Sequence, residues 1–124
     1  MNSLKLDVDL NEIYSLKDFI NENYKIDRQL ELAIEEAFVN IVNYSNADYI
    51  IVNVECDNKL MIEFIDNGIE FNPTQNKNSN THSNRAKAKI GGLGTLFIKH
   101  YVDELIYEHA DGENHLQLIK DVEL

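Results

Sequence analysis

The feature that most constrains the fold of this chain is a long amphipathic segment from Asp27 to about Ser45. Its apolar residues recur at helical spacing and would form one buried stripe: Leu30, Ile34, Phe38 and Ile41. Glu36 and Asn40 lie four residues apart, so they share a neighbouring face one turn from each other. A carboxylate can accept a proton and an amide oxygen can bind Mg²⁺. Most such pairs, however, simply lie on a solvent-exposed helix face and have no chemical role. We predict a helix here whose polar face is a candidate site.

Two shorter elements precede this helix. Alternating apolar residues from Ser3 to Leu10 predict a half-buried strand. Asn11 can then cap a second helix, which we expect to end between residues 21 and 25. The apolar face of that helix would contain Ile13, Leu16, Phe19 and Ile20.

Downstream of the long helix, the segments Tyr49–Cys56 and Lys59–Asp66 predict two strands joined by a hairpin turn at Asp57-Asn58. Apolar residues of the second strand fall on even numbers: Leu60, Ile62 and Phe64. Asp66 has the same parity, so its carboxylate should point inward and require a hydrogen-bond donor. Capping of a nearby turn is the simpler alternative for an isolated aspartate.

The segment from Asn67 to Ile90 differs from the rest, because no hydrophobic period survives after Thr74. Long irregular segments inside a domain are typically functional lids or disordered. This one ends at Gly91-Gly92-Leu93-Gly94, just before a predicted helix from Thr95 to Val102. Glycines in that place can leave backbone N–H groups open to an anion, but they serve tight turns equally often. Two further strands are predicted at 103–109 and 115–120, with a turn at 111–114.

Composition limits the function classes. The 124 residues fit one domain spanning 1–124. A net charge of -11 argues against a nucleic-acid surface and against docking on anionic lipid. The one cysteine, Cys56, cannot form an internal disulfide, and we find no apolar leader or spanning segment. We therefore expect a cytoplasmic protein.

Three motifs follow one another in order: Glu-x-x-x-Asn on a helix, Asp-x-Gly after a strand, and Gly-x-Gly opening a helix. Together they resemble the nucleotide-binding fold shared by gyrase, Hsp90, histidine kinases and MutL, and within it the anti-sigma factor serine kinases. The resemblance covers nearly the whole chain. It implies an α/β fold, an α+β two-layer sandwich of the Bergerat type. A mixed, mostly antiparallel sheet would carry helices on one face, with the nucleotide between.

The resemblance also implies roles for particular residues. Glu36 would act as general base toward a protein serine hydroxyl, and Asn40 would hold the Mg²⁺ that bridges the phosphates of ATP. Asp66 would accept a hydrogen bond from the adenine amino group, and Gly68 would let the base approach the backbone. The phosphates would meet the backbone of the glycine turn: Gly92, Leu93 and Gly94.

The loop from Thr74 to Ile90 would be the ATP lid, with basic residues that could neutralise phosphate charge: Arg85, Lys87 and Lys89. Two positions depart from the family pattern. Tyr44 stands where a histidine is common, and Glu70 stands where a second glycine is common and adds a negative charge unless it faces solvent.

These observations lead to one interpretation and three alternatives. We expect an ATP- and Mg²⁺-dependent serine kinase of a partner-switching circuit, most simply a homodimer. It would phosphorylate an anti-anti-sigma-type protein and capture a sigma factor or another regulator. The alternatives are a non-catalytic ATP-binding module that sequesters a partner, a detached histidine-kinase catalytic domain, and an acidic interaction domain without nucleotide.

Overall fold

The computed structural model describes residues 1–70 and 98–121. Five strands and two helices are found there, and a 3-10 turn at Leu10–Glu12 follows the first strand. In chain order they are β1 (Asn2–Leu6), α1 (Ile13–Asn23), α2 (Arg28–Tyr44), β2 (Ile50–Cys56), β3 (Lys59–Asp66), β4 (Glu104–Ala110) and β5 (Glu113–Asp121). Residues 98–101 are helical and belong to the helix predicted before the last two strands.

The strands form one sheet in the order β1-β2-β3-β5-β4. Every neighbouring pair is antiparallel. The predicted two-layer α/β fold is confirmed, but within the described residues the sheet has no parallel pair. Short connections account for two of the four pairs, because β2–β3 and β4–β5 are joined by two-residue turns that can link only antiparallel strands.

Helix α2 holds the two layers together. Asp27 caps its first turn by accepting a hydrogen bond from the Leu30 N–H at 2.8 Å. Its apolar stripe is buried as predicted and includes Ile34, Phe38 and Ile41. Even-numbered residues of the sheet are buried as well: Ile50, Val52, Val54, Leu60, Ile62, Phe64, Leu116 and Leu118. The predicted helix from Asp27 to Ser45 is confirmed, with these two residues as its caps.

The prediction of a strand from Ser3 to Leu10 was too long. β1 ends at Leu6, and the side chain of Asp9 accepts a hydrogen bond from the Asn11 N–H at 2.9 Å. That contact caps the 3-10 turn, so Asp9 rather than Asn11 is the capping residue. Leu10 is 47% exposed, although its parity predicted burial.

The last hairpin is tighter than predicted. Asp111 and Gly112 have φ of 54° and 78°, which is the left-handed pair of a two-residue type I′ turn. Ala110 and Glu113 therefore pair directly. Glu113 and Asn114, predicted to lie in the turn, are the first residues of β5 instead. As a result, Asn114 lies opposite Asp66 in the sheet.

Gly68 brings the end of β3 against the end of α2. The Ile69 N–H donates to the carbonyl of Ser45 at 2.8 Å. A Cβ atom on Gly68 would lie only 2.2 Å from that carbonyl oxygen. This close approach is a structural requirement for glycine that is independent of any ligand.

Two further features concern the environment of the chain. Cys56, at the end of β2, is an exposed free thiol. Within residues 1–70 and 98–121, no helix combines the length and the apolar character that crossing a membrane requires.

We expect Gly68→Ala to lower the free energy of unfolding by about 3 kcal/mol, which is the upper end of the usual destabilisation caused by overpacking. The value is high because the added methyl group would collide with the main-chain oxygen of Ser45, which cannot move aside as a flexible side chain can. Gly112→Ala is the matched control. A Cβ there meets nothing within 4 Å, and only left-handed strain of about 1–2 kcal/mol is expected. Urea unfolding of both variants would measure this difference. A Gly68→Ala variant no less stable than Gly112→Ala would contradict the contact.

Candidate functional site

A cavity opens between the second half of α2 and the sheet. The empty space between these elements, counted together with the open solvent at its mouth, is about 400 Å³. Its walls are mainly apolar: Ala37, Ile41, Ile98 and Leu116. Four buried polar residues line the same space: Asn40, Ser45, Asp66 and Asn114. A mostly apolar cavity with a few fixed polar groups suits a flat, partly polar ligand.

Asp66 ends β3 with its side chain turned into this cavity. It is 3% exposed, so the predicted inward orientation is confirmed. Its Oδ1 accepts hydrogen bonds from the Gly68 N–H at 2.8 Å and from Asn114 Nδ2 at 3.0 Å. Asp66 therefore also caps the turn after β3, as the simpler alternative predicted, and it does so through Oδ1. Its Oδ2 accepts no hydrogen bond from the described residues and remains available to a ligand.

Burial raises the pKa of the Asp66 carboxyl above its ordinary value. Hydrogen bonds from Asn114 and Gly68 act in the opposite direction, because they stabilise the charged form, but they do not cancel the desolvation. The folded protein therefore holds a carboxylate whose charge is only partly compensated. A donor supplied by a ligand would complete its hydrogen bonding.

Asn40 lines the cavity and carries a second unsatisfied polar group. It is 6% exposed, and its Nδ2 is buried without a hydrogen-bond partner among the described residues. Leaving such an amide unpaired is unfavourable, so the position suits a bound polar ligand. No group of three or more His, Cys, Asp or Glu side chains within residues 1–70 and 98–121 could bind a metal alone. Mg²⁺ at Asn40 would have to share its coordination with ligand oxygens and water.

Glu36 and Glu35 are adjacent on α2 but differ in their surroundings. Glu36 is half-buried and lies one turn before Asn40, about 6 Å along the helix axis. It does not line the cavity itself, and it has no ion pair or hydrogen bond to the described residues. Glu35 instead pairs with Lys17 of α1 at 2.9 Å. Of the two carboxylates, Glu36 is the one left free to accept a proton.

Several predicted site residues fall outside the described residues. They are Gly92, Leu93 and Gly94, together with the predicted lid from Thr74 to Ile90. The two departures from the family pattern do lie in the described part. Glu70 is exposed, so its charge faces solvent, and Tyr44 is half-buried at the end of α2.

Sequence reasoning missed Asn114. It is 4% exposed and contacts Asp66 across the β3–β5 pair. A signal was present, because Asn114 shares its parity with the buried residues Leu116 and Leu118. Assigning residues 111–114 to a turn concealed that pattern.

Comparison with known proteins agrees with the geometry. Residues 16–120 match the histidine kinase-like ATPase domain family. A search of curated proteins found the serine/threonine-protein kinase BtrW of Bordetella bronchiseptica, which is 29% identical over 94 residues. That match covers 72% of this chain but 66% of BtrW, so the chain spans slightly less than two thirds of this relative.

The raised pKa of Asp66 predicts a pH-dependent stability. Between the unfolded-state pKa, about 3.9, and the higher folded-state pKa, the folded protein binds the proton more tightly. We therefore expect the free energy of unfolding of the wild type, relative to Asp66→Asn, to fall as pH rises through this window. The amide introduced by Asp66→Asn does not titrate there, and its oxygen can still accept hydrogen bonds.

Urea unfolding of both proteins from about pH 3.5 to about pH 8 would measure this difference. Asp18→Asn, at an exposed position of α1, controls for the loss of one negative charge. A difference between wild type and Asp66→Asn that stays constant or increases with pH would contradict the buried, destabilised carboxylate.

Proposed function

We propose, since this chain belongs to the histidine kinase-like ATPase domain family, that it binds ATP and transfers the γ-phosphoryl group to a protein serine or threonine. The observation that carries the proposal is one cavity in which the carboxylate of Asp66 and the amide of Asn40 are both buried and both incompletely hydrogen-bonded.

The adenine end of ATP fits the Asp66 side of the cavity. The purine amino group is a hydrogen-bond donor, and Oδ2 of Asp66 is an available acceptor. Ile41, Ile98 and Leu116 provide apolar surface for the faces of the ring. Closure of the cavity over the base would exclude water and strengthen the contact to the carboxylate.

The phosphate end would lie toward Asn40. Its side-chain oxygen is a suitable ligand for Mg²⁺, which prefers oxygen and is often held by only one or two protein groups with phosphates and water. When bound, the ion would neutralise charge on the phosphates. The predicted phosphate contacts at Gly92, Leu93 and Gly94 remain part of this proposal.

Glu36 would be the general base. A half-buried carboxylate one turn from Asn40 can take the proton of an incoming serine hydroxyl as its oxygen bonds to phosphorus. The leaving ADP oxygen then keeps the electron pair of the broken bond. Positioning and charge stabilisation dominate phosphoryl transfer, so the base supplies the smaller part of the rate enhancement.

The proposed protein partners follow from the family resemblance and from the name of the curated relative, a serine/threonine-protein kinase. The substrate would be a small anti-anti-sigma-type protein, and a sigma factor or other regulator would be held until that substrate displaces it. We propose a cytoplasmic homodimer. A non-catalytic module that binds ATP and captures a partner is the alternative that the experiments below separate.

Binding of ATP is the first requirement. We expect calorimetry to show Mg²⁺-dependent binding of ATP or ADP by the wild type. Asp66→Asn should weaken binding by about 1.5–3 kcal/mol, because the cavity then presents an amide donor to the adenine amino group. Equal affinity of the two proteins would contradict the adenine assignment, and absence of binding by either would contradict the function.

Glu36→Gln tests the transfer step. The amide has the same shape but cannot take a proton, so we expect the single-turnover rate to fall by about 100–10,000-fold while ATP and partner affinities remain. Glu35→Gln is the matched control, because it lies next in the helix but its carboxylate contacts Lys17 rather than the site. The assay would use a purified anti-anti-sigma-type protein as the candidate substrate.

The outcomes separate the proposed functions. Undiminished transfer by Glu36→Gln would rule out its role as base. A wild type that binds ATP and captures the partner without transferring phosphate would be the non-catalytic module. Asn40→Ala should differ from Glu36→Gln in either case, because it changes the Mg²⁺ site and should weaken Mg-ATP binding itself.

A further inference from the structure

Asn114 makes several hydrogen bonds at the cavity. Its Nδ2 donates to Asp66 Oδ1 at 3.0 Å and to the carbonyl of Ile69 at 2.8 Å, with the carbonyl of Gly68 at 3.4 Å. Its Oδ1 accepts from the hydroxyl of Tyr107 and lies 3.0 Å from Nδ1 of His109. One amide thus links β3, the chain just after it, and β4.

These contacts determine the orientation of the amide. Around Nδ2 there are only acceptors, namely a carboxylate oxygen and two carbonyls. Around Oδ1 there are the Tyr107 hydroxyl and a ring nitrogen of His109, which can both donate. Turning the amide over would place its oxygen against three acceptors, so Asn114 can supply Asp66 only with a donor.

The donor in turn fixes the carboxylate. The terminal torsion of an aspartate is broad and roughly two-fold, so a single hydrogen bond restrains it weakly. Asn114 and the Gly68 N–H both bind Oδ1, which leaves Oδ2 as the oxygen toward the cavity.

We infer that Asn114 is a positioning residue that sets nucleotide specificity: by holding Asp66 through Oδ1, it keeps an acceptor facing the purine 6-position and so favours a 6-aminopurine over a 6-oxopurine. The inference rests on the proposed ATP site. The donor from Asn114 also favours the charged form of Asp66, and a protonated carboxyl would instead donate to a 6-oxo group.

The experiment compares affinities for ATP and ITP, which differ at the purine 6-position, by calorimetry in excess Mg²⁺. The wild type should bind ATP at least about tenfold more tightly, the equivalent of one hydrogen bond. Asn114→Leu should lower this ratio to about twofold or less. Asn114→Thr, which keeps one hydroxyl donor and suits a strand, should give an intermediate ratio.

Gln117→Leu is the matched control. It removes an amide from the same strand, but Gln117 is on the opposite face and donates to Glu63 at 3.2 Å. Its ATP/ITP ratio should equal that of the wild type. Asn114→Leu leaves the Tyr107 hydroxyl and the Ile69 carbonyl without this partner, so if it fails to fold, Asn114→Thr decides the question.

The inference and the proposed function fail in different ways. A wild type that selects ATP, together with a folded Asn114 variant of unchanged ratio, would overturn the inference alone. An equal loss of ATP and ITP affinity would do the same, because it would show a purely structural role. A wild type that binds neither nucleotide would overturn both.

Discussion

The interface between α2 and the sheet is apolar along most of its length and polar at one end. The candidate nucleotide site lies at this polar end. Phe38 and Phe64 are fully buried where the two layers pack. Beyond them, Asn40 and Asp66 are also buried, but they are incompletely hydrogen-bonded. Burying such groups is unfavourable. The surrounding apolar packing therefore offsets the unfavourable burial of these two polar groups. A ligand with matching hydrogen-bond donors and oxygens would reduce this desolvation penalty.

The parts of this arrangement that the sequence predicted are those that depend on short-range periodicity. Residues four apart in a helix share a face, which places Glu36 and Asn40 together without knowledge of the fold. The two-residue period of a strand determines the side of Asp66 relative to Phe64. Both predictions need only the type of the element and not its partners. The hairpin at Asp57-Asn58 and the start of the long helix at Asp27 were local in the same sense, and they too agree with the structure.

The sequence-based predictions failed where two local structural preferences competed, or where a residue distant in sequence determined the role of a side chain. The alternation that begins β1 continues in sequence past Leu6, but Asp9 offers its side chain to the Asn11 N–H and a 3-10 turn forms there. At the other end, the turn signal of Asp111-Gly112 was recognised but not its length, so Asn114 was assigned to the turn. Its role comes from Asp66, which is 48 residues away, and no local pattern can supply a contact of that separation.

Neighbouring carboxylates on α2 show how one helix can separate structural from chemical roles. Successive residues project about 100° apart, so Glu35 faces α1 and Glu36 does not. Lys17 lies 2.9 Å from Glu35, and Arg28 lies 3.9 Å from it. Such a carboxylate is held by two cations and would lose both contacts if it took a proton. Glu36, which has no ion pair among the described residues, has no such contact to lose. The same turn of helix therefore joins the two helices through one carboxylate and leaves the next one available for proton transfer.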